Sequence, residues 1–84
     1  MKNNKVQFHT SMRFNRTWIK VGNNHVGRII HHLDHDNGGI KFCKLEPSEW
    51  AKDSYDMEPC IIEDLDDAKL HVLRIMTPTN GGTA

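Results

Sequence analysis

The fold is decided by residues 17 to 45, which read TWIKVGNNHVGRIIHHLDHDNGGIKFCKL. Within this stretch, residues 17 to 21, 25 to 33 and 40 to 45 are rich in β-branched and aromatic side chains, as strands are. The segments that separate these runs contain Gly and Asn, which tolerate the positive φ angles of tight turns. The sequence therefore predicts an antiparallel meander of three strands.

The chain before the meander is harder to interpret. Residues 5 to 9 form a candidate fourth strand, although the polar stretch from Thr10 to Arg16 leaves its pairing open. We therefore expect residues 1 to 16 to form either an additional strand or an arm.

The chain after the meander is acidic and contains two prolines. The polar, acidic residues 46 to 59, bracketed by Pro47 and Pro59, predict an irregular loop, with a turn of helix at residues 47 to 52 and with Trp50 and Tyr55 folded back as a lid. Residues 60 to 62 form a candidate short strand.

A C-terminal helix is well marked. Asp64 is placed to cap it, and Asp67 lies near the positive end of the helix dipole. Apolar residues recur at helical spacing and predict a buried stripe: Leu65, Ala68, Val72, Ile75 and Met76. We expect the helix to end at Thr77 and Pro78, and residues 79 to 84 to be disordered.

Together these elements predict one α+β domain over residues 1 to 78, a three- to four-stranded antiparallel meander packed on one C-terminal helix. Strand alternation predicts a core of Ile19, Val21, Ile29, Leu33, Ile40 and Phe42. It predicts that the opposite sheet face carries Trp18, Lys20, Arg28, Ile30, His32, Lys41 and Cys43.

Composition narrows the class of protein. Hydrophobic residues make up 37% of the 84-residue chain and charged residues 26%, which is typical of a globular domain. Two cysteines and an N-terminus without an apolar run indicate reduced thiols, a cytoplasmic location and no membrane association. A chain this short leaves little room for a deep catalytic cleft, so we expect a binding protein rather than an enzyme.

The net charge of zero conceals a strong segregation. Residues 1 to 44 carry eight Lys or Arg against two Asp, a net +6, and residues 45 to 84 carry three against nine acidic residues, a net −6. This asymmetry fits an anionic partner for the basic half, and it fits equally well two halves that complement each other within the fold.

The histidine-rich segment at residues 31 to 39 is a weak catalytic candidate. It partly matches the His-x-His-x-Asp-His signature of metallo-β-lactamase-like hydrolases, but Ile30 stands at the first histidine. His32, His35 and the cysteines lack zinc-finger spacing, and a cysteine on a strand, such as Cys43, usually packs in a core. The sequence predicts no catalytic residues, no metal and no cofactor.

The basic sheet face is the strongest functional signal. Lys and Arg release counterions from phosphates, and an exposed aromatic ring stacks on an unpaired base, which favours single-stranded or structured RNA over duplex DNA. The predicted RNA-binding residues are Arg13, Arg16, Trp18, Lys20, Arg28, His32 and Lys41. The alternative is that Trp18 packs in a core or interface and that the cations only confer solubility.

The layout of residues 17 to 76 resembles small accessory proteins of tailed bacteriophages. The resemblance is carried by three short strands with Gly and Asn turns, an irregular acidic loop, and the helix start Asp64-Leu65-Asp66-Asp67-Ala68. Such proteins include inhibitors of host toxin–antitoxin, CRISPR and restriction systems. The resemblance implies a non-enzymatic inhibitor that binds a host defence protein or ribonucleoprotein.

Two other expectations concern partners. In the first, a protein-only inhibitor of the anti-CRISPR kind docks on its target through the acidic half, at Glu46, Glu49, Asp53, Asp56 and Glu58. In the second, the short meander forms a homodimer, because it leaves strand edges unpaired.

Overall fold

The central meander forms as predicted. In the computed structural model, which describes residues 5 to 76, β2 (Arg16–Val21), β3 (Asn24–Leu33) and β4 (Ile40–Pro47) pair antiparallel in chain order. Gly39, at φ +77°, lies in the turn between β3 and β4, in a conformation that glycine adopts without strain.

Two further strands extend the sheet, so within residues 5 to 76 it has five strands rather than three or four. β1 (Val6–Ser11) pairs with β2, and β5 (Cys60–Ile62) pairs with β4, which gives the order β1-β2-β3-β4-β5 with all pairs antiparallel. The turn between β1 and β2 contains no glycine, and Asn15 takes its left-handed position at φ 54°.

Two helices follow β4. The predicted turn of helix is a complete helix, α1 (Glu49–Tyr55), capped by the Ser48 side chain, which accepts a hydrogen bond from the Ala51 amide. The predicted C-terminal helix is α2 (Leu65–Met76). The Asp64 carboxylate accepts hydrogen bonds from the amides of Asp66 and Asp67 at 3.1 and 3.3 Å, which confirms the predicted cap. The predicted helix end at residues 77 and 78 and the predicted tail at residues 79 to 84 lie outside the described residues.

Both helices pack on the same face of the sheet. The buried apolar residues of the sheet and of the helical layer form one core: Ile19, Val21, Val26, Ile29, Cys43, Leu45, Ala51, Met57, Ala68, Val72 and Met76. Trp50 and Tyr55 meet edge to face at 5.6 Å and pack against this core from α1. The fold is α+β, as predicted.

Leu33, predicted in the core, is 39% exposed at the end of β3. The predicted orientation of β4 is wrong from Phe42 onward, although Ile40 packs against the core as predicted. Cys43 and Leu45 are fully buried, whereas Phe42 lies on the opposite face with His32. The cause is a bulge, because Phe42 pairs with His32 but Ile40 pairs with Leu33, which leaves Lys41 without a partner residue. One extra residue reverses the side-chain alternation of a strand.

A chain of polar side chains crosses the edge of the core. The Thr17 hydroxyl lies 2.9 Å from the Thr10 hydroxyl and 2.8 Å from Nε2 of His31, and both Thr17 and His31 are buried. Nδ1 of His31 is buried and has no hydrogen-bond partner. Burial, together with the positive charges of Lys69 and Arg16, lowers the pKa of His31, because a second ring proton would be a buried donor without an acceptor.

We expect the free energy of unfolding to decrease as the pH falls below about 6.5, where an unfolded histidine binds a proton that the folded protein excludes. His31→Gln should reduce the slope of the free energy of unfolding against pH between pH 7 and pH 5. His35→Gln, an exposed control in the β3–β4 turn, should retain this slope. Urea titrations at each pH measure the slope. An unchanged slope in His31→Gln would contradict the assignment of the pH dependence to this residue.

Candidate nucleic-acid interface

One face of the sheet points away from both helices. Residues that pair across neighbouring strands point to the same face of a sheet. Trp18 on β2 pairs with His9 on β1 and with Arg28 on β3, so these three side chains lie side by side. We call this surface the open face. Its side chains are Gln7, His9, Ser11, Arg16, Trp18, Lys20, His25, Arg28, Ile30, His32, Phe42, Lys44, Glu46 and Ile61.

Aromatic rings gather around Trp18. The ring of His9 lies 6.3 Å from it at an interplanar angle of 29°, and the ring of Phe14, from the β1–β2 turn, meets it edge-on at 6.4 Å. The guanidinium of Arg13 lies 5.4 Å from the centre of the Phe14 ring. Trp18 is half-buried and Phe14 is 57% exposed, so both rings are accessible to a ligand.

A second aromatic pair lies on the neighbouring strands. His32 and Phe42 stack at 4.5 Å with an interplanar angle of 16°. Beyond them Ile61, on β5, is 66% exposed. The apolar surface of the open face therefore extends across the sheet rather than ending at Trp18.

The open face is strongly basic. Among residues 5 to 76, the open face carries four cations, Arg16, Lys20, Arg28 and Lys44, against the carboxylate of Glu46 alone, a net +3. The Arg28 Nε donates to Glu46 at 2.9 Å, and the Lys44 Nζ lies 3.7 Å from the second carboxylate oxygen. The hydrogen bond from Arg28, with the nearby charges of Arg28, Lys44 and Arg16, lowers the pKa of Glu46, so this group is ionised and holds Arg28 in place.

Most of the predicted RNA-binding residues lie together. Arg16, Trp18, Lys20, Arg28 and His32 all belong to the open face. The remaining two differ in position.

Arg13 lies in the β1–β2 turn over Phe14, and Lys41 is the exposed extra residue of the β4 bulge, outside the alternation that aligns the other residues. The sequence prediction missed His9, Phe42 and Lys44. The alternation of Val6 and Phe8 in the sequence could have placed His9 on this face. Phe42 and Lys44 were missed because the bulge in β4 cannot be recognised from the sequence pattern.

A depression of about 570 Å³ lies on the open face between β1 and the β2–β3 turn. It is lined by Gln7, Phe8, His9, Trp18, Ile19, Lys20 and His25. Its side chains combine an indole ring, an ammonium group and hydrogen-bonding groups, which is the chemistry that a nucleotide requires.

The acidic residues lie mainly on the helical layer. Glu49, Asp53, Asp56 and Glu58 are exposed on α1 and the segment after it, and Asp64, Asp66 and Asp67 are exposed at the start of α2. Glu46 belongs to the open face instead, and Asp34 and Asp36 lie in the β3–β4 turn. The two layers of the domain therefore have opposite charge.

The histidines and cysteines form no concentrated reactive centre in the described part of the chain. Within residues 5 to 76, no three His, Cys, Asp or Glu side chains are close enough to hold a metal ion. Cys60 lies 3.7 Å from Nε2 of His71, but burial raises the pKa of the Cys60 thiol and also that of Cys43. A thiol with a raised pKa is protonated, and so a weak nucleophile, near neutral pH.

Comparisons of the chain with protein-family models, with curated proteins and with solved structures give no match. In residues 5 to 76, neither helix is long and apolar enough to cross a membrane. The chemistry of the open face is therefore the basis for inferring what it binds.

The two tryptophans provide a direct measure of the charge on the two layers. With Trp50→Phe, which leaves Trp18 as the only indole, iodide should quench fluorescence more strongly than caesium, because the basic open face attracts anions. With Trp18→Phe, the remaining Trp50 lies near Glu49 and Asp53, so the excess of iodide quenching over caesium quenching should become smaller or change sign. Equal preferences in the two variants, measured by Stern–Volmer titration at constant ionic strength, would contradict the charge separation.

Proposed function

We propose that the protein binds single-stranded RNA, free or within a ribonucleoprotein, through the open face and catalyses no reaction on it. The observation that carries this proposal is the contact of Trp18 with two aromatic rings, His9 and Phe14, on a face with a net charge of +3. Stacking on aromatic rings and contact with phosphates are the two interactions by which proteins hold unpaired nucleotides.

The shape of the open face favours unpaired over paired nucleic acid. The bases of a duplex are stacked on one another and present only their edges, whereas splayed bases lie flat on an aromatic sheet surface. Entry into a major groove requires a projecting helix or β-ribbon. Here α1 and α2 start with acidic residues and pack on the other face, so a helix would bring carboxylates toward phosphates.

The opposite charge of the two layers supports a single binding orientation. A polyanion is attracted to the open face and repelled by the exposed carboxylates of the helical layer. Glu46 contributes in two ways, since it offsets part of the basic charge and fixes the Arg28 guanidinium at 2.9 Å. A fixed guanidinium loses less conformational freedom when a phosphate binds.

We further propose that the target is an RNA-containing host defence system, such as a toxin–antitoxin ribonuclease, which the protein inhibits by occupying its RNA. The support is the resemblance of residues 17 to 76 to phage accessory proteins, together with a surface suited to RNA. A protein-only inhibitor that acts through Glu49, Asp53, Asp56 and Glu58 is the rival, because these residues are exposed together in the helical layer.

A matched pair of charge reversals distinguishes the two surfaces. Lys20→Glu on the open face should weaken binding of a single-stranded RNA oligonucleotide and reduce the slope of log affinity against log salt by about one. Lys52→Glu, on α1, should leave both quantities unchanged.

Trp18→Ala should weaken binding by about 5- to 150-fold, the loss expected for one stacked base. Fluorescence anisotropy at several salt concentrations measures these effects.

The same variants test the biological role. Protection of cells from a toxin–antitoxin ribonuclease should be lost with Lys20→Glu or Trp18→Ala and retained with Lys52→Glu. Protection that is lost only when an acidic residue of the helical layer is reversed, as in Asp53→Lys, would favour the protein-only inhibitor. Equal RNA affinity in all folded variants would contradict the open face as the RNA site.

A further inference from the structure

The two edge strands of the sheet differ in how well they are protected from pairing with another chain. β5 has only three residues, and it lies between Pro59 and the acidic residues Glu63 and Asp64. Short length, proline and charge are the usual means by which proteins block an edge strand. β1 has six residues, carries no proline or charged residue between the flanking Lys5 and Arg13, and pairs with β2 without a bulge.

The outer side of β1 carries groups that a further strand would satisfy. Alternate residues of an antiparallel edge strand direct their backbone N–H and C=O groups away from the sheet. Among residues 5 to 76, no other strand pairs with this side of β1. Val6 and Phe8 lie half-buried at the rim of the core, so apolar surface accompanies the unpaired backbone.

We infer that β1 of one molecule pairs antiparallel with β1 of a second copy across a two-fold axis. A second copy fits because two uncharged strands meet without like charges opposite each other, and because an antiparallel strand paired about a two-fold axis complements itself. The pairing also covers Val6 and Phe8. Additional buried apolar surface stabilises a domain from a chain of only 84 residues, which has a small core. One pair of six-residue strands is a small interface, so the dimer forms reversibly with concentration.

Pairing of this kind joins the two sheets into one of ten strands with a continuous open face. The β2 strands that carry the two Trp18 residues are then separated by three strand spacings, about 14 Å. If the proposed RNA function holds, one RNA strand can contact both copies, which increases its effective affinity. The dimer itself does not depend on RNA.

Dimerisation is tested on ribonuclease-treated protein comprising residues 1 to 84 by sedimentation velocity over a range of concentrations. The weight-average mass should rise from 9.7 kDa toward twice that value. Gln7→Lys with His9→Lys adds two exposed charges to β1 and should hold the mass near that of the monomer. The control, His25→Lys with His32→Lys, adds two exposed charges to the central strand β3 and should dimerise like the unmodified chain.

A constant monomer mass at all concentrations would overturn the inference. So would a dimer that the β1 variant does not disrupt, or one that the two variants disrupt equally. Amide hydrogen exchange gives a second readout, since outward N–H groups of β1 should become more protected as concentration rises and those of α2 should not. RNA binding by a protein that stays monomeric would leave the proposed function intact and remove the dimer alone.

Discussion

Two short helices can cover only one face of this sheet, and the exposed face is a consequence of that limit. α2, with 12 residues, is about 18 Å long, which is close to the width of about 19 Å expected for five strands. α1 is seven residues long and covers the adjoining part of β3 and β4. Both lie on the side of Ile29 and Leu45, so Trp18 and its neighbours remain on the solvent side.

Two bulges determine which side chains reach that exposed face. One lies in β3 opposite the junction of Ile19 and Lys20, and the other lies in β4 at Lys41. Gly27 lies next to the first bulge, where a Cβ atom would come within 2.5 Å of the Glu46 carbonyl oxygen. The close approach of β3 and β4 at this point therefore depends on glycine, and it lies next to the Arg28–Glu46 pair on the open face.

Local patterns were sufficient to predict the central strands, the Asp64 cap and the stripe of α2, because each depends on neighbouring residues alone. The orientation of β4 was not predictable in this way. Ile40 and Phe42 look like alternating core residues, and the bulge that turns Phe42 outward arises from pairing with β3. The β1–β2 hairpin was also left open, because Asn15 takes the position that glycine usually marks.

The candidate site was partly predictable for the same reason. Trp18, Lys20 and Arg28 lie on strands whose alternation is regular in the sequence, so they were placed on one face correctly. Phe42 and Lys44 depended on the orientation of β4 and were missed. Glu46 was assigned to an acidic loop, whereas it completes β4 and faces Arg28. Charge counts along the chain indicated a basic half but not that the two layers of the domain divide the charge.

We propose that the open face, and not the helical layer, binds single-stranded RNA. The most direct measurement is the set of ¹H–¹⁵N chemical shift changes on titration with a single-stranded RNA oligonucleotide. If the open face binds the RNA, the largest changes should fall on the Trp18 indole and on the amides of β1 to β3, with small changes on α1. Changes confined to α1 and the start of α2, or no changes at low salt, would contradict it.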